Sequence, residues 1–236
     1  MLEDIKLVLS DLSDEKRIKS VSRYFKKGDG EYGEGDEFIG VLVPDQRMVA
    51  KEFYKNCSLN DVQNLLNSSI HEYRLTATFI LVNQYEKAKE ELVRQSIVDF
   101  YLMNTKKFNN WDLVDSGCYK ILGHFAYHQN REEILYRLAD SDFLWEKRMA
   151  IVSTYYFIKK DEMNLSFDLI LKNINDSHDL IHKANGWMLR EIGKRKEEVL
   201  LSFLDQYALQ LPRTTLRYAI EKLDETLRQY YLQLKK

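Results

Sequence analysis

The chain has 236 residues, 44% apolar, 31% charged and 12% aromatic, enough to bury a sizeable core and in keeping with a single domain over 1–236. Nine Gly and two Pro make up about 5% of the chain against roughly 12% in average proteins, which excludes collagen-like and linker sequences, disfavours a turn-rich β sandwich and leaves an all-α protein as the expectation. With 35 Lys and Arg against 37 Asp and Glu the formal net charge is −2, so any nucleic-acid binding must come from how charge is distributed, not from an excess of it.

Cys57 and Cys118 are too few for a disulfide framework or a four-cysteine zinc site, which points to a reducing compartment. The first residues, Met1-Leu-Glu-Asp-Ile-Lys6, put acids where a signal peptide carries bases, and no apolar run reaches the ~18 residues of a membrane span. A cytoplasmic protein without membrane contact is expected.

In chain order, Ile5, Leu9, Leu12, Ile18 and Val21 space the apolar positions of Leu2 to Lys26 as one helix or two short ones. Five of the nine glycines fall between Gly28 and Gly40, and Gly28 to Asp36 reads as an acidic loop. It is no phosphate cradle, because no Lys-Ser/Thr follows it and its acids repel phosphate. Pro44 then opens a helix running through Arg47 and Ala50 to Tyr54.

Beyond this point a pattern recurs with a period near 37 residues. His71-Glu-Tyr-Arg-Leu-Thr-Ala77, Trp145-Glu-Lys-Arg-Met-Ala150 and Arg213-Thr-Thr-Leu-Arg-Tyr-Ala219 are versions of one theme, with Asn110-Trp-Asp-Leu-Val-Asp115 and Ile181-His-Lys-Ala-Asn-Gly-Trp187 at intermediate offsets. Helix pairs at this interval predict an α-solenoid of HEAT-like repeats, curved, with equivalent positions gathered in one concave groove; a non-repetitive bundle is the alternative.

Two helix faces carry candidate chemistry. Asp176-Ser177 is the expected cap of a helix reaching Lys194, on which Lys183, Trp187, Arg190 and Lys194 follow at steps of four, three and four and so share a stripe opposite Ile181, Ala184, Met188 and Ile192. This is either a basic aromatic contact surface or an indole at the edge of the core beside solvated cations. Trp111 and Asp115, four apart behind a cap at Asn109 or Asn110, also share a face. They read as a half-buried indole beside a surface acid, or as a cation-binding pair of π face and carboxylate. Arg148 follows Trp145 by three, with Val152, Tyr155 and Lys159 continuing along its side, and Lys106-Lys107, Lys159-Lys160 and Lys194-Arg-Lys196 sit near helix ends.

The histidine pairs His124/His128 and His178/His182 have the i,i+4 spacing of metal ligands. Asp179 stands where a metalloprotease helix carries Glu, and no third ligand can be assigned, so they are read as ordinary helix histidines.

Taken together, Arg23-Tyr-Phe-Lys26, Asn110-Trp-Asp-Leu-Val-Asp115, Trp145-Glu-Lys-Arg148-Met-Ala-Ile151 and Lys183-Ala-Asn-Gly-Trp187-Met-Leu-Arg190-Glu, in this order and over nearly the whole chain, resemble the AlkD-type DNA alkylation repair glycosylases, which are HEAT-like helical proteins. The resemblance implies hydrolysis of the N-glycosidic bond of cationic N3- and N7-alkylated purines in double-stranded DNA; a monomer that needs no cofactor or metal is expected. It implies that Asp115 is the catalytic carboxylate, that Trp111 and Trp187 are aromatic walls of the cleft, and that Tyr24, Arg148 and Arg190 face the DNA, with Lys183 and Lys194 on the same basic stripe. It further implies a lesion engaged through its backbone while the base stays stacked. The Gly28 to Asp36 stretch is longer than the corresponding turn in the best-known members, which sets the Tyr24 position apart. Two other functions suit a basic helical repeat: non-catalytic binding of damaged or branched DNA, and protein–protein scaffolding.

Overall fold

The computed structural model describes residues 1–26, 28 and 30–234; Lys27, Asp29, Lys235 and Lys236, and with them the Asp29 part of the acidic loop, lie outside the described residues. Among the described residues the structure is all-helical, and its only extended pairing is an isolated bridge between Glu37 and Ile70. No described helix is long and apolar enough to cross a membrane. The helices gather into two compact units, Met1–Gly117 and Cys118–Lys236.

The first unit begins with α1 (Leu2–Asp11) and α2 (Glu15–Ser22), so the Leu2 to Lys26 segment is two helices. Asp14 separates them, its carboxylate accepting from the Lys16 amide as the N-cap of α2. Next come α3 (Val43–Phe53), with Pro44 in its first turn, and α4 (Leu59–Leu66), started by a reciprocal capping box of Ser58 and Asp61. The long α5 (His71–Lys87) is buried along most of its length and packs against α3, α4 and α6 (Glu91–Met103). A 3₁₀ turn (Thr105–Lys107) leads to α7 (Trp111–Cys118).

Between α2 and α3 the described residues are tied down by local bonds. Gly28 and Gly30 amides donate to the Glu31 and Glu34 carboxylates, so the loop acids cap the loop's own backbone. Residues 36–40 are bound to the start of α5. His71 N–H donates to the Glu37 carbonyl, and the Ile39 and Gly40 amides both donate to the Glu72 carboxylate. Gly40 has φ +80°, and a Cβ there would lie 2.2 Å from the Asp14 carbonyl oxygen, so only glycine permits this crossing.

The second unit holds a π-helical turn (Tyr119–Gly123), α8 (His124–Gln129), α9 (Glu133–Ala139), α10 (Leu144–Ser153), α11 (Tyr155–Ile158), α12 (Asn164–Lys172), α13 (Asp179–Arg195), α14 (Glu197–Tyr207), α15 (Arg213–Ala219) and α16 (Glu225–Gln233). Helices pack on near neighbours in sequence: α9 on α10, α10 on α12 and α13, α13 on α14 and α15, and α15 on α16. That neighbour-to-neighbour stacking is the α-solenoid arrangement expected of the repeats.

α13 crosses α15 closely. A Cβ at Gly186 would lie 2.4 Å from Tyr218 Cβ and 2.6 Å from the Thr215 carbonyl oxygen, and Thr215 Oγ1 donates to the His182 carbonyl across the same seam. Gly186 therefore fixes how α13 presents Trp187, its neighbour.

Candidate nucleic-acid interface

In the first unit α7 places Trp111 and Asp115 one turn apart on one face, both partly exposed, while Leu113 and Val114 between them are fully buried. Asn110 starts the helix: its side-chain oxygen accepts from the Trp111 amide and its carbonyl from the Val114 amide. The Trp111 ring stacks on Phe25 at 5.6 Å, and Phe25 also meets Phe38 and His71 at 5.2 and 4.7 Å. The segment expected to face DNA thus contributes Phe25 to the support of Trp111. Tyr24 points outward, 62% exposed, bonded to the Arg23 guanidinium that also lies over its ring.

Beneath Trp111 lies a charged network that sequence reasoning missed. His71 Nε2 is 2.8 Å from Asp112 Oδ2 and Nδ1 is 3.2 Å from Asp36 Oδ2, while Asp36 Oδ1 is 2.6 Å from the Arg74 guanidinium. Arg74 also donates to Asn109 Oδ1 at 2.5 Å. The Asp36 and His71 side chains are 3% and 2% exposed, so these are interior charges that persist only because each is paired.

Burial pushes the His71 imidazole down, but the Asp112 charge and the hydrogen bonds to Asp112 and Asp36 outweigh it and raise the pKa to about 9. Burial likewise pushes the Asp36 carboxyl up, and His71 and Arg74 hold it below the ordinary carboxylate range. At neutral pH an imidazolium therefore joins the loop segment to the first turn of α7. The signal for it was present in the sequence: His71 and Arg74 crowd the N-terminus of a helix, where the dipole disfavours cations, so carboxylate partners had to come from elsewhere.

In the second unit the α13 stripe stands as expected. Lys183, Trp187 and Arg190 are partly exposed and Lys194 is exposed, opposite buried Ile181, Ala184, Met188 and Ile192. Its cations are not bare. Lys183 pairs with Asp179 at 2.7 Å, Lys194 with Glu191 at 2.8 Å, and Arg190 with Glu221 and Glu191.

The start of α13 differs from expectation. The N-cap is His178, whose Nδ1 accepts from the Leu180 amide, because Asp176 is committed to the His178 amide and to Lys147 at 2.8 Å. His182 bonds the Asp176 carbonyl, and His128 bonds the Tyr156 hydroxyl at 2.9 Å.

Arg148 departs furthest from its sequence reading. It is 5% exposed, and its guanidinium donates to the Leu180 carbonyl at 2.6 Å, tying α10 to α13. The helical phase that aligned Arg148 with Lys159 carries it inward, because α10 is buried on nearly every side from Arg148 to Ser153. Trp145 is buried as well.

Comparison with known proteins agrees with this architecture. No curated protein resembles the chain significantly in sequence. A solved structure described as a predicted DNA alkylation repair enzyme from Enterococcus faecalis shares the fold, with a TM-score of 0.71 and 17% identity over 90% of this chain and 97% of that one. The family model for DNA alkylation repair enzymes matches residues 5–223, and the chain belongs to that family.

Proposed function

We propose that this protein is a monofunctional DNA glycosylase that hydrolyses the N-glycosidic bond of cationic N3- and N7-alkylated purines in double-stranded DNA, acting as a cytoplasmic monomer without a cofactor. The observation that carries the reading is the Trp111–Asp115 pair: an indole and a carboxylate one helical turn apart, both partly exposed, on a helix whose first turn is locked by buried charges.

An alkylated purine leaves as a neutral base, so little protonation of the leaving group is needed and one carboxylate suffices. As the bond lengthens, positive charge moves to the deoxyribose. Asp115 stabilises that oxocarbenium-like state and orients the attacking water. The Trp111 face favours the same charge by cation–π attraction, worth roughly 0.5 to 2 kcal/mol depending on desolvation. An uncharged base gains much less, so selectivity for cationic lesions follows from electrostatics and needs no pocket reading the base edge.

Trp187 keeps the aromatic role that the family resemblance gives it, and Lys183, Arg190, Lys194 and exposed Tyr24 are assigned to the DNA backbone. Arg148 is assigned instead to holding α10 on α13.

The test is release of alkylated purine from methylated duplex DNA by the parent and by Asp115→Asn at matched salt and folded content. Release by the parent with at least a roughly tenfold loss in the variant, about 1.4 kcal/mol, is expected. A parent that binds DNA and releases no base overturns the enzyme reading in favour of non-catalytic damage binding.

A further inference from the structure

Three aromatic rings adjoin one another in the second unit: Trp187 from α13, Tyr155 from α11 and Tyr119 from the π-helical turn. Tyr155 and Trp187 have ring centroids 6.1 Å apart and Tyr119 and Tyr155 5.3 Å apart, and all three side chains are partly exposed. The same unit buries Trp145 to 3% exposure, so it has interior room for an indole and nevertheless leaves this one at the surface.

The backbone is shaped to bring the rings together. The π-helical turn shifts the helical phase at Tyr119, a feature that recurs at functional sites. Gly123, at its end, lies so close to α10 that a Cβ would be 2.3 Å from the Ser153 carbonyl oxygen. The turn is thereby seated against α10 and α11, where Tyr119 reaches Tyr155.

Charge at this place differs from charge on the α13 stripe. Lys183, Arg190, Lys194 and Arg195 are each matched by a carboxylate, the last by Asp161 at 2.9 Å, and a phosphate has to compete with that partner. Lys159 and Lys160 are exposed, and among the described residues neither has a carboxylate within 4 Å. Lys159 Nζ lies 5.8 and 6.0 Å from the Tyr155 and Tyr119 rings, and Lys160 Nζ lies 5.6 Å from the Tyr156 ring. Ammonium groups with no carboxylate partner beside partly exposed aromatic faces fit a ligand that is anionic along one edge and offers apolar sugar surface along the other, which is the chemistry of a sugar–phosphate backbone.

We propose that Trp187, Tyr155 and Tyr119 form an aromatic track that receives one strand of duplex DNA, with Lys159 and Lys160 holding its phosphates. The inference rests on the DNA reading above and deepens it: sequence-independent affinity comes from this track more than from the ion-paired cations of α13. The ring faces meet the apolar surfaces of the deoxyriboses, and the lysines release counterions from the phosphates.

The experiment measures affinity for a short fluorescent duplex, undamaged and methylated, over a range of salt, with thermal unfolding as a check on folding. Lys159→Gln combined with Lys160→Gln is expected to weaken both duplexes alike and to make the slope of log affinity against log salt shallower by about 2, near 0.9 for each phosphate that is no longer neutralised. Lys183→Gln, which removes a paired cation, is expected to change the slope less. Tyr155→Ala is expected to weaken binding roughly tenfold at unchanged slope, as truncation of a central interface aromatic does, and Tyr155→Phe to restore it, since the ring face makes the contact.

If the parent binds duplex and releases base while the double lysine variant keeps its slope, the track is overturned and the glycosylase reading stands. A parent that binds no duplex at any salt overturns the DNA reading and the track with it. Loss of binding in Tyr155→Phe equal to that in Tyr155→Ala overturns the role of the ring face.

Discussion

His71 Nε2 lies 2.8 Å from the carboxylate of Asp112, the residue that follows Trp111 and precedes Asp115 by less than one helical turn. Through this bond the start of α5 fixes the start of α7, and Asp36 extends the tie to the segment before α3. The candidate catalytic pair therefore stands on an interior ion bridge whose strength depends on protonation.

The pH dependence has a definite sign. The imidazole of His71 titrates at about 9 in the folded protein and near its ordinary 6.5 when unfolded. A raised folded pKa gives stability that is fully present below about pH 6.5 and is lost as pH climbs through about 9. Asp36, held low, works at the other end: its contribution is present above the ordinary carboxylate range and is lost on acidification. We expect unfolding free energy to fall by on the order of 3 kcal/mol between pH 6.5 and 9.5. His71→Gln should be less stable at pH 6.5 and nearly flat over the same interval. A parent whose stability does not change there contains no imidazolium bridge.

Gly186 is expected to tolerate no side chain. The Cβ of Gly186→Ala would meet backbone at Thr215 and the root of the Tyr218 side chain, neither of which is the movable end of a chain. α13 and α15 must separate, at a cost of roughly 1 to 3 kcal/mol. Denaturant melts measure the loss, and a change within about 0.5 kcal/mol, the range of an ordinary surface substitution, would show that the seam yields freely.

How far the sequence carried can be judged from particular residues. Glycine and proline scarcity with 3.6-residue periodicity was enough for an all-helical chain, because apolar spacing along a helix is a local property. The α13 stripe and the Trp111–Asp115 face were legible for the same reason. Asp36 was not. Its partners are 35 and 38 residues away, and nothing local distinguishes it from the loop acids Glu31 and Glu34, which do cap loop amides. Arg148 was misplaced because periodicity gives a face only when one side of a helix is apolar, and from Arg148 onward α10 is buried all round. The ion pairs that neutralise α13 were partly readable within the helix, as Asp179–Lys183 and Glu191–Lys194, whereas Glu221 arrives from beyond α15.

Arg148 and Arg190 should separate cleanly by experiment. The Arg148 guanidinium is buried and donates to a main-chain carbonyl, so Arg148→Ala removes the bond that ties α10 to α13 and leaves a void; a loss of roughly 2 to 3 kcal/mol in stability is expected. Arg190 is partly exposed in a salt bridge with Glu221, and Arg190→Ala should cost at most about 1 kcal/mol. For DNA the reverse order is expected: at equal folded fraction Arg190→Ala should weaken duplex binding more than Arg148→Ala. Equal stability losses would remove the distinction.

Trp111 provides the sharpest test of lesion selectivity. If its indole acts by cation–π attraction, Trp111→Leu keeps apolar bulk and loses the quadrupole, so release of a cationic N7-alkylated purine should slow by about 2- to 30-fold, corresponding to roughly 0.5 to 2 kcal/mol. Trp111→Phe, which keeps a weaker π face and can still stack on Phe25, should fall between the two. Binding of undamaged duplex should change little in either variant. The comparison distinguishes charge stabilisation from packing, because a ring that only supported α7 would be replaced about as well by leucine as by phenylalanine, and both variants would then lose activity in step with stability.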